Sequence, residues 1–218
     1  MHSLNRLAFG LIMMSVLTPV LAASSVDITV KGSIIPGGCT PTLSSAEFDH
    51  GKISARDLNA TTPTSFATRA KDATLTITCE AAMLYGVRSI DNRASSALTD
   101  THRTYHGLGH TAAGEKIGAH LLRIVPARSR IDEKSAFLTV GTGDAKRWSS
   151  SESEPRSVRA DGLLVGFTDT QGRTSGPIPI KNAVLGLSSS IVIAPTQGLT
   201  LTEEVPLDGA ATLELVYL

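Results

Sequence analysis

Thr74-Leu75-Thr76-Ile77-Thr78-Cys79 is the stretch that decides how this chain folds. Hydroxyl and apolar residues alternate, so Leu75, Ile77 and Cys79 share one face. That is the period-two pattern of a strand with one buried side. The buried face ends on a cysteine, one of two in the chain. The other, Cys39, closes an earlier stretch of the same kind. There Val26, Ile28 and Val30 alternate with Asp27, Thr29 and Lys31, and Gly32 interrupts the pattern. Ile34 and Ile35 continue the apolar run before Pro36-Gly37-Gly38 turns the chain into Cys39.

Working outward, strands are expected over 119–125, stopped by Pro126, and over 136–140 and 163–168. Ile178 and Ile180 mark another, and Ile191-Val192-Ile193 a further one bounded by Pro195. The chain finishes on Thr212 to Leu218, with Leu213, Leu215 and Tyr217 on one face. Helix signals are scarce: Ser44-Ser45-Ala46-Glu47 can cap one turn before Gly51. Short strands with Gly and Pro between them predict an all-β sandwich. The expected core runs from Ile28 and Ile34 through Leu75, Ile77, Leu122, Ile124, Leu138, Leu163, Val165, Phe167, Ile180 and Ile193 to Leu213 and Leu215.

The first residues read as a processing signal. His2 to Arg6 is weakly basic, Phe9 to Leu21 is apolar, and Val20-Leu21-Ala22-Ala23 supplies small residues for cleavage. Residues 1–22 are therefore expected to be a signal peptide, and 23–218 one exported domain with no membrane span. Export alters the meaning of the cysteines. In an oxidising compartment Cys39 and Cys79 are expected to bridge, with two buried free thiols as the competing reading. The bridge closes a loop of about 41 residues, worth roughly 4 kcal/mol in the chain-entropy model.

Lys+Arg and Asp+Glu both number 20, which removes the electrostatic footprint of a nucleic-acid binder. Two cysteines exclude a dense disulfide scaffold and a four-thiolate metal site. No catalytic motif emerges. Gly186-Leu187-Ser188-Ser189-Ser190 lacks the closing glycine of a nucleophile elbow, and no phosphate-binding glycine loop with Lys is present. His102, His106 and His110 recur every four residues, with His120 beyond. Gly107 and Gly109 oppose a helix there, so a surface loop is expected rather than a zinc site, and no metal or cofactor is called for. Arg123, Arg128, Arg130 and Lys134 are interleaved with Asp132 and Glu133, an ordinary solvated face. The stretches 91–116 and 141–161 are long for connections in a compact domain, and Trp148 in the second suits a partner contact or a packed anchor.

The two ends stand out. An alternating segment lies near the start and another at the finish, and a terminal strand with free backbone groups invites pairing with a second chain. Pairing within the domain uses the same alternation. At these residues the chain resembles a fimbrial (pilin) subunit of the chaperone–usher type, nearest to fimbrial-like exported proteins of Gram-negative bacteria. The resemblance rests on Val30-Lys31-Gly32-Ser33-Ile34 leading to Cys39, on Cys79 ending an alternating strand, and on the penultimate Tyr217.

It implies an immunoglobulin-like β-sandwich that lacks its last strand and is completed by a donor strand. A periplasmic chaperone lends that strand first, and a neighbouring pilus subunit replaces it at the outer-membrane usher. Carried over, Val26, Ile28 and Val30 are the donor side chains. Leu213, Leu215 and Tyr217 line the groove or contact the chaperone, and Cys39–Cys79 staples the domain. The implied role is a non-catalytic structural or adaptor subunit, exported through the periplasm to a surface fimbria. A self-contained secreted module, binding a carbohydrate or surface partner through the two long loops, is the alternative.

Overall fold

The computed structural model describes residues 26–32, 37–98 and 105–218. The chain divides into a leading unit, Met1–Ile35, and a folded unit, Pro36–Leu218. The expected signal peptide, Ile34 and His102 lie outside the described residues. Within the leading unit, Val26, Ile28 and Val30 occupy no strand and are 87 %, 86 % and 91 % exposed. Ile28 is therefore not a core residue. Period-two alternation needs a hydrogen-bonded neighbour before it buries anything, and none is present among the described residues.

The folded unit is built from antiparallel strands. In chain order these are β1 (Cys39–Leu43), β2 (Thr64–Ser65), β3 (Lys71–Met83), β4 (Tyr85–Asp91), β5 (His106–Gly107) and β6 (Gly118–Ile131). They continue with β7 (Lys134–Ser135), β8 (Phe137–Gly141), β9 (Arg156–Ser157), β10 (Leu164–Thr168), β11 (Ile180–Ile193) and β12 (Ala211–Tyr217). Helical structure among the described residues is limited to short 3-10 turns, and Ser44–Glu47 forms none. An eight-stranded sheet has the order β1-β3-β11-β6-β5, with β2 beside β11 and with β7 and β9 beside β6. A four-stranded sheet has the order β12-β4-β10-β8.

Residues 74–79 lie inside the longer β3, where Ala73, Leu75, Ile77 and Cys79 are buried and the threonines face outward. Cys39 is paired directly opposite Cys79, and the two form a disulfide. Pro126 does not stop its strand. The β6–β11 register shifts between Val184 and Gly186, and β6 accommodates extra residues there. Ser129 repairs the ladder: its hydroxyl accepts from Gly186 N at 3.0 Å and donates to Val125 O at 2.8 Å. Such an irregularity is where a proline is tolerated in a strand. A Cβ on Gly186 would lie 2.6 Å from Arg128 Cβ, so the irregularity requires glycine there.

Side chains from both sheets meet in one apolar core, with Ile77, Ile124 and Leu185 from the larger sheet and Tyr85, Val87 and Phe167 from the smaller. Leu163 precedes β10 and is only half-buried, whereas all five residues of β10 are buried. A second, smaller cluster contains Phe66, Leu108, Ile117, Ile191 and Ile193. Along the inner face of β11 the order is Leu185, Leu187, Ser189, Ile191, Ile193. A buried serine thus marks the boundary between the two clusters.

Candidate functional site

Among the described residues β1 and β12 each have a strand on one side only, as do β5 at the other end of the larger sheet and the two-residue β2, β7 and β9. β1 pairs only with β3, and β12 only with β4. β1 and β12 are the first and last strands of the folded unit, and each lies at one end of its sheet, opposite β5 and β8. The edge of β8, by contrast, is covered by bridges from Trp148 to Gly141 and from Glu152 to Leu138. Glu80 N donates to Gly38 O and Ser44 N to Thr74 O, so the even-numbered residues of β1 face β3. Cys39, Pro41 and Leu43 then turn their backbone groups to the open side. Pro41 has no N–H, which limits what that edge can bond.

The β1 and β12 edges flank one groove of about 860 Å³. Leu43 and Phe48 line it on the β1 side, and Val205, Leu207 and Leu213 on the β12 side. Leu122, Leu187, Ile191 and Ile193 line it from the larger sheet. At one end the rims are tied together by Tyr217, whose Oη accepts from Cys39 N at 2.9 Å. Towards the second cluster, Lys52 and Glu204 form an exposed ion pair of 3.1 Å between the loops that follow β1 and precede β12.

The groove is not uniformly apolar. Ser189 Oγ lies 2.9 Å from His120 Nε2 and 3.1 Å from His50 Nε2, and all three residues line the groove. Phe48 lies against the His120 ring at a centroid distance of 6.2 Å. Behind them, the His106 Nδ1–H donates to His120 O at 3.3 Å, and His106 Nε2 is 2.7 Å from Ser89 Oγ, which links the two sheets. Burial lowers the His120 pKa to about 4, assisted by His106 and His50. Burial also lowers His106, with Asp91 and the His120 carbonyl opposing, and lowers His50 together with Lys71, with Asp49 opposing. The three rings are therefore neutral at neutral pH.

Placed on this geometry, the residues singled out from sequence separate. Leu213 lines the groove, Leu215 is half-buried against the main core, and Tyr217 is half-exposed while bonding to β1. Val26, Ile28 and Val30 are exposed in the leading unit. The histidines are not one surface loop: His106 is fully buried in β5 and opposes His120 in β6, whereas His110 is exposed. Among the described residues no group of three or more His, Cys, Asp or Glu is placed to hold a metal ion. Nor is any helix there long and apolar enough to cross a membrane.

Trp148 is a packed anchor. A Cβ added at Gly141, Gly166 or Gly176 would approach its ring to 2.6–2.8 Å, and its Nε1 donates to Ala145 O at 2.9 Å. His50 and Ser189 were missed from sequence because they lie far apart in the chain; the inward position of Ser189 on β11 was the available signal.

Comparison with known proteins gives distant similarity over most of the chain. A family model described as "Protein of unknown function (DUF1120)" matches residues 28–106. The chain is 27 % identical to "Uncharacterized protein YhcF" of Escherichia coli (strain K12), covering 90 % of this chain and 92 % of that protein. It is 25 % identical to "Protein GltF" of the same organism, covering 90 % of this chain and 89 % of the other.

Proposed function

We propose that this chain is a structural or adaptor subunit of a surface fimbria, without catalytic activity, assembled by donor-strand complementation. The observation that carries the reading is the groove between β1 and β12, whose rims are strand edges without strand partners. In this reading the two sheets are an immunoglobulin-like sandwich lacking one strand, and an extended segment from another chain fills the gap. Its backbone would bond to the open edges and its alternate side chains would enter the apolar lining. A periplasmic chaperone supplies the strand first. A neighbouring pilus subunit supplies it after exchange at the outer-membrane usher, and the fibre ends on the cell surface.

The exposed alternation of Val26, Ile28 and Val30 supports a matching role as donor. Burying three such side chains in a neighbour's groove is worth roughly 5–9 kcal/mol before ordering costs. Leu213 and Leu215 then lie beside the inserted strand, and Tyr217 closes the end of the groove.

The test is stability in trans. The purified protein is expected to be unstable or to polymerise, and a peptide spanning 24–33 is expected to raise its melting temperature and suppress polymerisation. A stable monomer that ignores the peptide counts against the proposal.

A further inference from the structure

Resting on that reading, we infer that the groove holds a hydrogen-bonding subsite, His50 and His120 braced by Ser189. It selects a strand carrying a hydroxyl or carboxamide side chain at the position facing these rings, and so a strand from a different protein rather than from a second copy of this one. The argument is proton accounting. Ser189 Oγ has one proton and two imidazole nitrogens within hydrogen-bond distance, His120 Nε2 at 2.9 Å and His50 Nε2 at 3.1 Å. The Ser189 hydroxyl has no other acceptor among the described residues. It therefore donates to one ring and accepts N–H from the other.

Both rings being neutral, the ring that accepts at Nε2 carries its proton on Nδ1, and the ring that donates at Nε2 leaves Nδ1 bare. Among the described residues no protein group bonds to either Nδ1, and neither is a buried unsatisfied atom. The cluster thus offers one donor and one acceptor within a groove otherwise lined largely by apolar side chains. A hydroxyl or a carboxamide both donates and accepts, whereas a valine or isoleucine there displaces water from two polar atoms without replacing its bonds.

This chain's own segment does not fit the requirement. Its apolar face presents Val26, Ile28, Val30 and Gly32. Its other face brings Thr29 inward only together with Asp27 and Lys31, two charges set against the apolar floor of Leu122, Leu187, Ile191 and Ile193 rather than the charged rim of Lys52 and Glu204. The groove and the segment of one sequence are therefore imperfect partners. That is what an adaptor joining unlike neighbours requires.

The experiment compares peptides on the purified protein. The parent peptide spans 24–33, and three variants carry Val26→Thr, Ile28→Thr or Val30→Thr. In a uniformly apolar groove each threonine weakens binding, because its hydroxyl is desolvated without return. One variant, the one whose altered residue faces His50 and His120, is expected to bind about five- to tenfold more tightly than the parent. That advantage is expected to vanish in His50→Leu, and in Ser189→Ala as a second, independently folded check. If the parent binds and every threonine peptide binds more weakly, the subsite is refuted while strand uptake stands. An advantage that survives in both protein variants also refutes it. If neither the parent nor any variant binds, the donor-strand reading and this inference fall together.

Discussion

Lowering the pH from 7 to 4.5 is expected to destabilise the folded unit through its buried and partly buried imidazoles. In the unfolded chain His120 titrates near 6.5, whereas in the fold burial holds it at about 4. Well above pH 6.5 both states are neutral and the ring imposes no penalty. As the pH falls below 6.5 the unfolded chain takes up a proton that the folded one refuses, so stability declines until the folded ring also titrates near 4. The full gap of about 2.5 pH units corresponds to roughly 3 kcal/mol, of which about 2.5 is lost by pH 4.5. His106 and His50 are lowered as well and act with the same sign. The depressed carboxylates of Glu115, Asp144, Asp169 and Asp208 lose their stabilising contributions at lower pH, as each falls through its folded value. The assay is urea unfolding at pH 7 and 4.5 for the unaltered protein and for His120→Gln, which keeps a polar group towards Ser189 and does not titrate. The variant should lose about 2.5 kcal/mol less between the two pH values. An equal loss in both proteins would refute the assignment of acid sensitivity to His120.

Other expectations follow from single contacts. Cys39→Ala with Cys79→Ala should cost about 4 kcal/mol in denaturant unfolding, because the bridge joins residues 40 apart in sequence; a cost under about 1 kcal/mol would mean that residual unfolded-state order does the same work. Gly141→Ala places a Cβ 2.6 Å from the Trp148 ring and should cost about 1–3 kcal/mol. Trp148 is the one tryptophan in the chain, so its fluorescence should shift to longer wavelength in that variant, and an unchanged spectrum would oppose the packed position. Tyr217→Phe removes the acceptor for Cys39 N and should cost about 1 kcal/mol or less, since water reaches that edge; hydrogen exchange at the Cys39 amide should accelerate. Glu133→Gly should stabilise by about 0.5–1 kcal/mol, read by thermal unfolding. Asp132 and Glu133 both hold positive φ, 44° and 67°, in the two-residue turn from β6 to β7.

Much of the sheet content was legible because it is local. Alternation over 74–79 and 212–217, and the dense run at 119–125, needed only the pleat of an extended chain. β4 escaped notice because its inward positions are Tyr85, Val87 and Ser89, and a serine facing the core breaks an apolar pattern. It is buried there because His106, 17 residues further on, supplies its hydrogen bond. Residues 180–193 read as fragments because Asn182, Gly186 and Ser188 to Ser190 interrupt the hydrophobic run, although the ladder with β3 and β6 holds all fourteen in one strand. Pro126 looked like a stop because its compensation, Ser129 bonded to Gly186, spans 57 residues.

By itself the sequence determined that strands form and that an oxidising compartment would favour a bridge between its two cysteines. These depend on side-chain period and thiol chemistry, both readable along the chain. Only the tertiary structure decided which edges stay open, because an edge is defined by the strand that is not beside it. It also turned His106 from an expected loop residue into a buried neutral base, and set His120, on an expected strand, half-buried beside it. Burial is a property of everything packed around a ring, and much of what surrounds His120 comes from His50, Ser189 and Phe48, brought in by other segments of the chain. The alternation of Val26, Ile28 and Val30 lies at the limit of both. The pattern is in the sequence, and the structure leaves the three side chains in solvent because alternation gives a strand a face and only a partner buries it.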